Sequence, residues 1–130
     1  MILFDTDTCV EILRGNKKVI EKFVSANTTV AVSFMTVSEL YYGAEKSNNI
    51  SKNIIKIEKM LLGLEIIESS IEIEKRFGNI KASLDKNGNL IEDADIFIAS
   101  TCLEKCETLI TGNVNHYSRI QGLKIENWIR

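Results

Sequence analysis

The stretch Met1-Ile-Leu-Phe-Asp5 sets an acidic residue directly after an apolar run at the start of the chain. Residues 2–4 are predicted to form a buried β-strand, and the segment that follows is predicted to form a helix ending at Gly15. Aspartate is depleted in strands, so strand structure alone does not account for Asp5 at this position. We therefore interpret Asp5 as one member of a functional site that forms where a strand ends.

Beyond this stretch, predicted strands alternate with predicted helices over the whole chain. Such alternation implies an α/β fold of three layers, with a mostly parallel central sheet of four or five strands and helices on both faces. No repeat, low-complexity tract or shift in composition marks a boundary, so we expect one domain over residues 1–130. The predicted strands are 2–4, 29–32, 64–67, 108–111 and a short one at 122–126. The predicted helices are the first, capped by Asp7 or Thr8, then 17–25, 35–46, one capped by Ser51, one capped by Ser69 or Ser70 that stops near 87–89, and one that starts near Asp93.

Composition and charge narrow the classes of protein to which the chain can belong. The 130 residues are 45% hydrophobic and carry a net charge of −2, which allows a core of ordinary size and does not suggest a bulk nucleic-acid binder. No apolar run approaches the length that crosses a bilayer, and the first residues do not resemble a signal peptide. Cys9, Cys102 and Cys106 are an odd number of cysteines, which favours free thiols in a reducing compartment. We expect a cytoplasmic protein with no membrane partner.

Further acidic residues lie beside the other predicted strands and helices. Glu39 follows the second strand, while Asp93 and Asp95 precede another apolar run. In parallel α/β folds ligands bind beyond the carboxyl ends of the strands, which is where Asp5 lies and where residues 111–113 leave the fourth strand. Carboxylates that meet there repel one another unless a hard cation neutralises them or some of them hold a proton. The pattern therefore predicts a Mg²⁺ or Mn²⁺ site that hydrolyses phosphate esters.

These later acids also have structural interpretations. Thr36-Val-Ser-Glu39 matches a capping box, in which Glu39 would accept a hydrogen bond from the Thr36 amide. Asp93 and Asp95 suit the first turn of a helix, where the helix dipole favours negative charge. The two lie roughly 200° apart around an ideal helix, so one turn cannot aim both at one point. Asp93 as the cap and Asp95 as the metal ligand would reconcile the two interpretations.

Several separated motifs resemble those of PIN domains, and more closely those of the VapC toxins of bacterial and archaeal toxin–antitoxin pairs. They occur in order along the whole chain at compatible spacing, which makes the resemblance more specific than one short pattern. The motifs are Ile2-Leu-Phe-Asp5-Thr-Asp7, Val37-Ser-Glu39-Leu-Tyr-Tyr-Gly43-Ala-Glu-Lys-Ser47, Asn89-Leu-Ile91-Glu-Asp-Ala-Asp95-Ile-Phe-Ile-Ala99, Leu109-Ile-Thr111-Gly-Asn113-Val114 and Ile120-Gln-Gly-Leu-Lys-Ile-Glu-Asn-Trp128.

The resemblance implies a PIN-like fold and a metal-dependent endoribonuclease. In this class of enzyme, acidic side chains hold one or two Mg²⁺ or Mn²⁺ ions, and hydrolysis leaves a 5′-phosphate. The resemblance also implies a VapB-like antitoxin whose tail blocks the site, a toxin homodimer and, by analogy with look-alikes that share the motif ending at Ser47, cleavage of transfer RNA. The implied catalytic and metal-binding residues are Asp5, Glu39 and Asp95, with Asp93 as a second-rank ligand and Asn113 as a fourth polar position. Thr6 and Thr111 are expected to support them by orienting a water or a carboxylate.

Two departures from the family pattern leave the number of metal ions and their affinity open. Asp7 stands where the family usually has asparagine, and His116-Tyr117 stands where relatives have an acid before an aromatic residue.

The first motif also resembles that of haloacid-dehalogenase-type phosphatases, with Asp5 as nucleophile and Asp7 as acid/base. A third interpretation is a PIN domain that has lost catalysis and acts as a binding module. The retained acids argue against that interpretation, because a protein without catalysis has no reason to keep a cluster of like charges.

Overall fold

The computed structural model describes all 130 residues and contains seven helices and five strands. No helix is both long enough and apolar enough to cross a membrane. In chain order the strands are β1 (Ile2–Phe4), β2 (Val30–Ser33), β3 (Glu65–Ile67), β4 (Thr108–Ile110) and β5 (Ile125–Glu126). The helices are α1 (Thr6–Leu13), α2 (Lys17–Val24), α3 (Phe34–Glu45), α4 (Ile50–Leu61), α5 (Ile71–Lys86), α6 (Asp93–Lys105) and α7 (Val114–Tyr117).

The five strands form one parallel sheet in the order β3-β2-β1-β4-β5. Because successive side chains of a strand point to opposite faces, the register between the three central strands lines up two rows of buried side chains. One row is Leu3, Ala31 and Leu109, and the other is Phe4, Val32 and Ile110. The α/β class and the mostly parallel sheet that the sequence predicts are confirmed.

Helices cover both faces of this sheet, and each face has its own hydrophobic core. One core contains Leu3, Ile80 of α5, Ile98 of α6 and Tyr117 of α7. The other contains Phe4, Cys9 of α1, Leu40 of α3 and Ile57 of α4. Burial on both sides explains why the central strands are mostly apolar and have no exposed polar face. The predicted arrangement of three layers is therefore confirmed.

The junction between β1 and α1 differs from the prediction. Asp5 is the N-cap of α1, and its side chain accepts a hydrogen bond from the Thr8 amide at 2.9 Å. The prediction that Asp7 or Thr8 caps this helix is wrong, because the chain passes from strand to helix without a loop. Aspartate is a favoured N-cap residue. Asp5 therefore has a local structural role in addition to any role at a site.

The N-termini of two other helices test the predicted capping residues. Ser70 caps α5, as one of the two predicted candidates, and accepts a hydrogen bond from the Ile73 amide at 3.3 Å. The cap of α4 is Asn49 instead of Ser51, with Asn49 accepting from the Lys52 amide at 3.2 Å. Asparagine and serine are about equally good caps, so the residue types alone did not decide between them. The four-residue helix α7 was not predicted, since it is too short to show a helical period.

The three cysteines are free thiols, as expected from their number and context. Cys9 and Cys102 are buried among apolar side chains of the two cores. Burial raises the pKa of Cys102 to about 12 and that of Cys106 to about 11. Both thiols are thus protonated at neutral pH, and Cys9 and Cys102 act as small hydrophobic residues.

Candidate active site

A polar cavity of about 230 Å³, here called the acid pocket, lies at the edge of the sheet where β1 and β4 end. Its walls come from the start of α1, from α3, from the start of α6 and from the segment after β4. The residues that line it are Asp5, Thr6, Asp7, Glu39, Glu92, Asp95, Asn113, His116 and Tyr117. The structure thus brings together Asp5, Glu39, Asp95 and Asn113, which the sequence predicts for one site although they lie far apart along the chain.

Asp5 is the most deeply buried carboxylate of the acid pocket, with 3% of the residue exposed. Besides the amide of Thr8, it accepts a short hydrogen bond from the Thr111 hydroxyl. Burial raises the pKa of Asp5 to about 6, while these hydrogen bonds lower it in part and the charge of Asp7 raises it further. The carboxylate has lost much of its hydration, so its charged form gains from any cation that reaches the pocket.

Thr111 connects Asp5 to the segment after β4. Its hydroxyl donates to Asp5 and accepts a hydrogen bond from the backbone amide of Asn113 at 2.9 Å. One side chain therefore holds a carboxylate in place and shapes the turn that carries Asn113. This geometry matches the predicted supporting role of Thr111, although Thr111 itself does not line the cavity.

Glu39 has no capping role, and the capping-box interpretation of Thr36-Val-Ser-Glu39 is wrong. The N-cap of α3 is Ser33, whose side chain accepts a hydrogen bond from the Thr36 amide at 3.2 Å. The Glu39 carboxylate instead accepts a hydrogen bond from the Thr6 hydroxyl at 2.6 Å. This contact crosses from α3 to α1, so Thr6 orients the carboxylate toward the acid pocket as a supporting residue would.

Asp95 is held by two side chains of α7. The Tyr117 hydroxyl donates to its Oδ1 at 3.2 Å, and Nδ1 of His116 lies 3.2 Å from its Oδ2. Burial, together with the charge of Asp95, moves the pKa of Tyr117 far above its usual range, so the phenol remains a neutral donor. The short helix that sequence analysis missed is therefore the element that positions the third acid.

Asp93 does not line the acid pocket. Its side chain is 58% exposed and forms an ion pair with Lys81 at 2.9 Å. It is not the cap of α6 either, because Glu92 holds that position without a side-chain hydrogen bond. The expected divergence of Asp93 and Asp95 is confirmed, and the placement gives no support to Asp93 as a metal ligand.

Glu92 lines the acid pocket and was missed by the sequence interpretation. Glu92 is the N-cap of α6 and Asp95 is the third residue of that helix, and side chains at these two positions lie close together. That spacing was the available signal. The two aspartates that follow already accounted for a cap and a metal ligand, so the pattern did not predict Glu92.

A larger cavity of about 680 Å³, here called the side groove, continues from the acid pocket. The two cavities share Thr6, Asp7 and Glu39. The side groove runs between α1, α3 and α4, and its lining adds apolar residues of these helices and the cations Arg14, Lys46 and Lys56. A polymeric ligand that reaches the acid pocket from this direction would therefore pass apolar and basic side chains.

The donor groups of the acid pocket suit a hard divalent ion. Five carboxylates and an amide oxygen line it, and no lysine or arginine does. As the side chains stand, no three acidic, histidine or cysteine side chains form a complete ligand set, since Asp5, Glu39 and Asp95 are each turned to a hydrogen-bond donor of the protein. Mg²⁺ commonly keeps several waters and takes one or two carboxylates, so the pocket fits a hydrated ion.

Comparisons with known proteins identify similar sequences along almost the whole chain. The family model described as PIN domain matches residues 2–123. Ribonuclease VapC2 of Haemophilus influenzae is 35% identical over 128 residues, which cover 98% of this chain and 97% of that protein. The chain belongs to the VapC family of PIN domains. This PIN domain is also 29% identical to the tRNA(fMet)-specific endonuclease VapC of Salmonella typhimurium, over 97% of this chain and 96% of that protein.

A solved structure extends the likeness from sequence to fold. The crystal structure of VapBC2 from Rickettsia felis, bound to a DNA fragment from their promoter, contains a chain that superposes on this PIN domain with a TM-score of 0.90. The two are 32% identical, and the match covers 98% of this chain and 99% of that one. These likenesses favour a nuclease over the phosphatase that the Asp5 and Asp7 motif also resembles.

Proposed function

We propose that this PIN domain is a metal-dependent endoribonuclease and acts as the toxin of a toxin–antitoxin pair. The observation that carries the proposal is the convergence of Asp5, Glu39 and Asp95 in one pocket at the carboxyl edge of the sheet. Membership of the VapC family supplies the reaction class, because the similar proteins from Haemophilus influenzae and Salmonella typhimurium are named as a ribonuclease and a tRNA endonuclease.

The three acids are proposed to hold one or two Mg²⁺ or Mn²⁺ ions. When bound, such an ion makes water a stronger nucleophile at neutral pH and offsets the charge that develops on the phosphate. The protein contributes prepared ligands: Thr111 and Thr8 hold Asp5, Thr6 holds Glu39, and Tyr117 and His116 hold Asp95. Hydrogen bonds of this kind keep a carboxylate in one orientation and so reduce the entropy lost when a ligand binds.

The reaction is hydrolysis of an RNA phosphodiester. Water attacks phosphorus in line with the 3′ oxygen, the bond to that oxygen breaks, and the products are a 5′-phosphate and a 3′-hydroxyl. The acid pocket contains no lysine or arginine that could neutralise the phosphate. Neutralisation is therefore assigned to the ion, and binding of the flanking RNA is assigned to side chains outside the pocket.

Partner, substrate and compartment follow from the family and are proposed on that basis. A VapB-like antitoxin is proposed to bind the chain and block the pocket, since a similar structure is a VapBC2 complex. Transfer RNA is the proposed substrate, as the name of the Salmonella typhimurium relative indicates for that protein. A homodimer and a cytoplasmic location complete the proposal, as the VapC resemblance and the free thiols suggest.

Cleavage of purified transfer RNA and of total RNA, with Mg²⁺ and with EDTA, tests the function. We expect cleavage that requires the ion and yields ends that ligate only through a 5′-phosphate. Sequencing those ends identifies the substrate. Cleavage that is equal in wild type and Asp95→Asn, or that persists in EDTA, would contradict the proposed site, and a lack of cleavage of any RNA with Mg²⁺ or Mn²⁺ would favour the binding-module alternative.

A further inference from the structure

His116 is the one histidine of the chain, and its ring lines the acid pocket. Nδ1 lies 3.2 Å from Oδ2 of Asp95 and 2.9 Å from the side-chain nitrogen of Asn113. The side chain is 40% exposed, so part of the ring is open to solvent. His116 has no place in the predicted ligand set of Asp5, Glu39 and Asp95.

The two neighbours of Nδ1 require opposite protonation states. A proton on Nδ1 suits the Asp95 oxygen but opposes the amide hydrogens of Asn113. A bare Nδ1 accepts a hydrogen bond from Asn113 but leaves its lone pair beside a carboxylate oxygen. A half-turn of the side-chain amide of Asn113 exchanges the positions of its nitrogen and oxygen atoms. Nδ1 then has an oxygen atom on either side, and either a proton or a metal ion can satisfy all three atoms.

The distances suit a metal ion. Adjacent ligands of an octahedral ion with bonds of about 2.1–2.2 Å lie about 3.0–3.1 Å apart. The two separations around Nδ1, 2.9 Å and 3.2 Å, lie on either side of that value. As a hydrogen bond, the contact to Asp95 is at the long end of the usual range for N–H···O. The two distances are therefore compatible with one edge of a coordination shell as well as with hydrogen bonds.

We propose that His116 is a metal ligand of the acid pocket, bound to the same ion as Asp95, and that its nitrogen makes the pocket prefer Mn²⁺ to Mg²⁺. Imidazole suits ions of the first transition series, whereas Mg²⁺ takes oxygen ligands. The inference rests on the metal dependence proposed above and specifies the ion and one further ligand.

Direct ion binding tests this inference without an activity assay. The paramagnetic resonance signal of free Mn²⁺ is lost when the ion binds, and Mg²⁺ added as a competitor reports its own affinity. Wild type is compared with His116→Gln and with Tyr117→Phe. The Tyr117 hydroxyl also contacts Asp95 at 3.2 Å, so its loss is a matched control that removes an orienting contact but no ligand.

We expect His116→Gln to weaken Mn²⁺ binding by about tenfold or more, and Mg²⁺ binding by less than about threefold. Tyr117→Phe should change both affinities by the same factor, because it alters only the position of Asp95. Wild type should also show a nitrogen coupling in the spin-echo spectrum of bound Mn²⁺, and His116→Gln should lack it. The spectrum of wild type decides the question even when a variant does not fold.

Three outcomes would overturn the inference: equal losses of Mn²⁺ and Mg²⁺ affinity in His116→Gln, no loss of either, or no nitrogen coupling in wild type. His116 would then be a hydrogen-bond partner of Asp95. If wild type still cleaves RNA with Mg²⁺ in that case, the proposed function stands without this inference. A wild type that binds neither ion and cleaves RNA in EDTA would overturn the metal dependence itself.

Discussion

The acid pocket and the outer face of the α5–α6 helix pair both carry carboxylates, but they neutralise them in different ways. On the outer face Asp93 pairs with Lys81 at 2.9 Å and Glu104 pairs with Arg76 at 2.7 Å. In the acid pocket the carboxylates meet hydroxyl groups, a backbone amide and one imidazole, and no lysine or arginine lines the cavity. The pocket therefore keeps negative charge that the fold itself does not neutralise.

The two regions therefore differ in whether their carboxylates have cationic partners within the protein. Asp93 and Asp95 both belong to the first turn of α6, yet one lies in each region. An exposed ion pair contributes about 0–1 kcal/mol to stability and is screened by salt. A buried carboxylate such as Asp5 lowers stability when it is charged. At neutral pH the charge of Asp5 therefore offsets part of the stability that its N-cap hydrogen bond contributes.

The largest expected effect is the loss of catalysis when a carboxylate of the acid pocket becomes an amide. Asp5→Asn and Asp95→Asn should each lower Mg²⁺-dependent RNA cleavage by more than about 100-fold, because an amide is a much poorer ligand than a carboxylate. Asparagine is still a good N-cap, so α1 should keep its start in the Asp5 variant. Cleavage rates and thermal melts of the same samples decide the matter: activity lost together with the fold would point to a structural role.

Glu39→Gln should reduce cleavage by about 10- to 100-fold at low Mg²⁺. Glutamine can still accept the hydrogen bond that Thr6 donates to Glu39, so the contact between α3 and α1 should persist. Because Ser33 caps α3, helix stability should not change. A titration of Mg²⁺ against cleavage rate checks this prediction, and full activity at low Mg²⁺ would remove Glu39 from the site.

The stability of Asp5→Asn should depend on pH in a direction that the structure dictates. Burial raises the pKa of Asp5 from an ordinary value of 3.8 to about 6, so the folded state favours the protonated carboxyl. The cost of ionising Asp5 is absent below about pH 4 and is complete above about pH 6. In EDTA the variant should equal wild type near pH 4 and exceed it by up to about 3 kcal/mol at pH 7. Urea unfolding at both pH values measures the change, and a gap that narrows as pH rises would contradict the assigned pKa.

Asp7→Asn distinguishes the nuclease from the phosphatase alternative. Asp7 lines the pocket and raises the pKa of Asp5, so removing its charge should keep RNA cleavage or improve it slightly. Wild type should not turn over p-nitrophenyl phosphate with Mg²⁺, because a nuclease of this class forms no aspartyl-phosphate. Steady turnover that Asp7→Asn abolishes would overturn the nuclease assignment and leave the PIN likeness as a statement about fold.

The smallest effect is expected on the outer face. Asp93→Asn breaks an exposed ion pair with Lys81 and should change the free energy of unfolding by less than about 1 kcal/mol. RNA cleavage should stay within about twofold of wild type, since the side chain lies outside the acid pocket. A large loss of cleavage in this variant would show that Asp93 belongs to the active site and not only to the outer face.

Much of the fold could be predicted because its signals are local. The apolar run before Asp5 predicted β1, and the helical period of residues 54–62 predicted α4. The cap of α4 could not be predicted, since Asn49 and Ser51 suit that position about equally. The helix α7 escaped prediction because four residues show no period. That omission mattered, because α7 holds Asp95 through Tyr117.

By itself the sequence determined the alternation of strands and helices and the placement of Asp5 at a strand end, because both depend on neighbours within a few residues. Only the tertiary structure decided which acids converge. Glu92 and Asp95 face the pocket while Asp93 faces Lys81, and Glu39 meets Thr6 instead of capping its own helix. The rotation of a helix about its axis selects the side chains that point inward, and that rotation is set by packing against the sheet and neighbouring helices, which a local pattern does not contain.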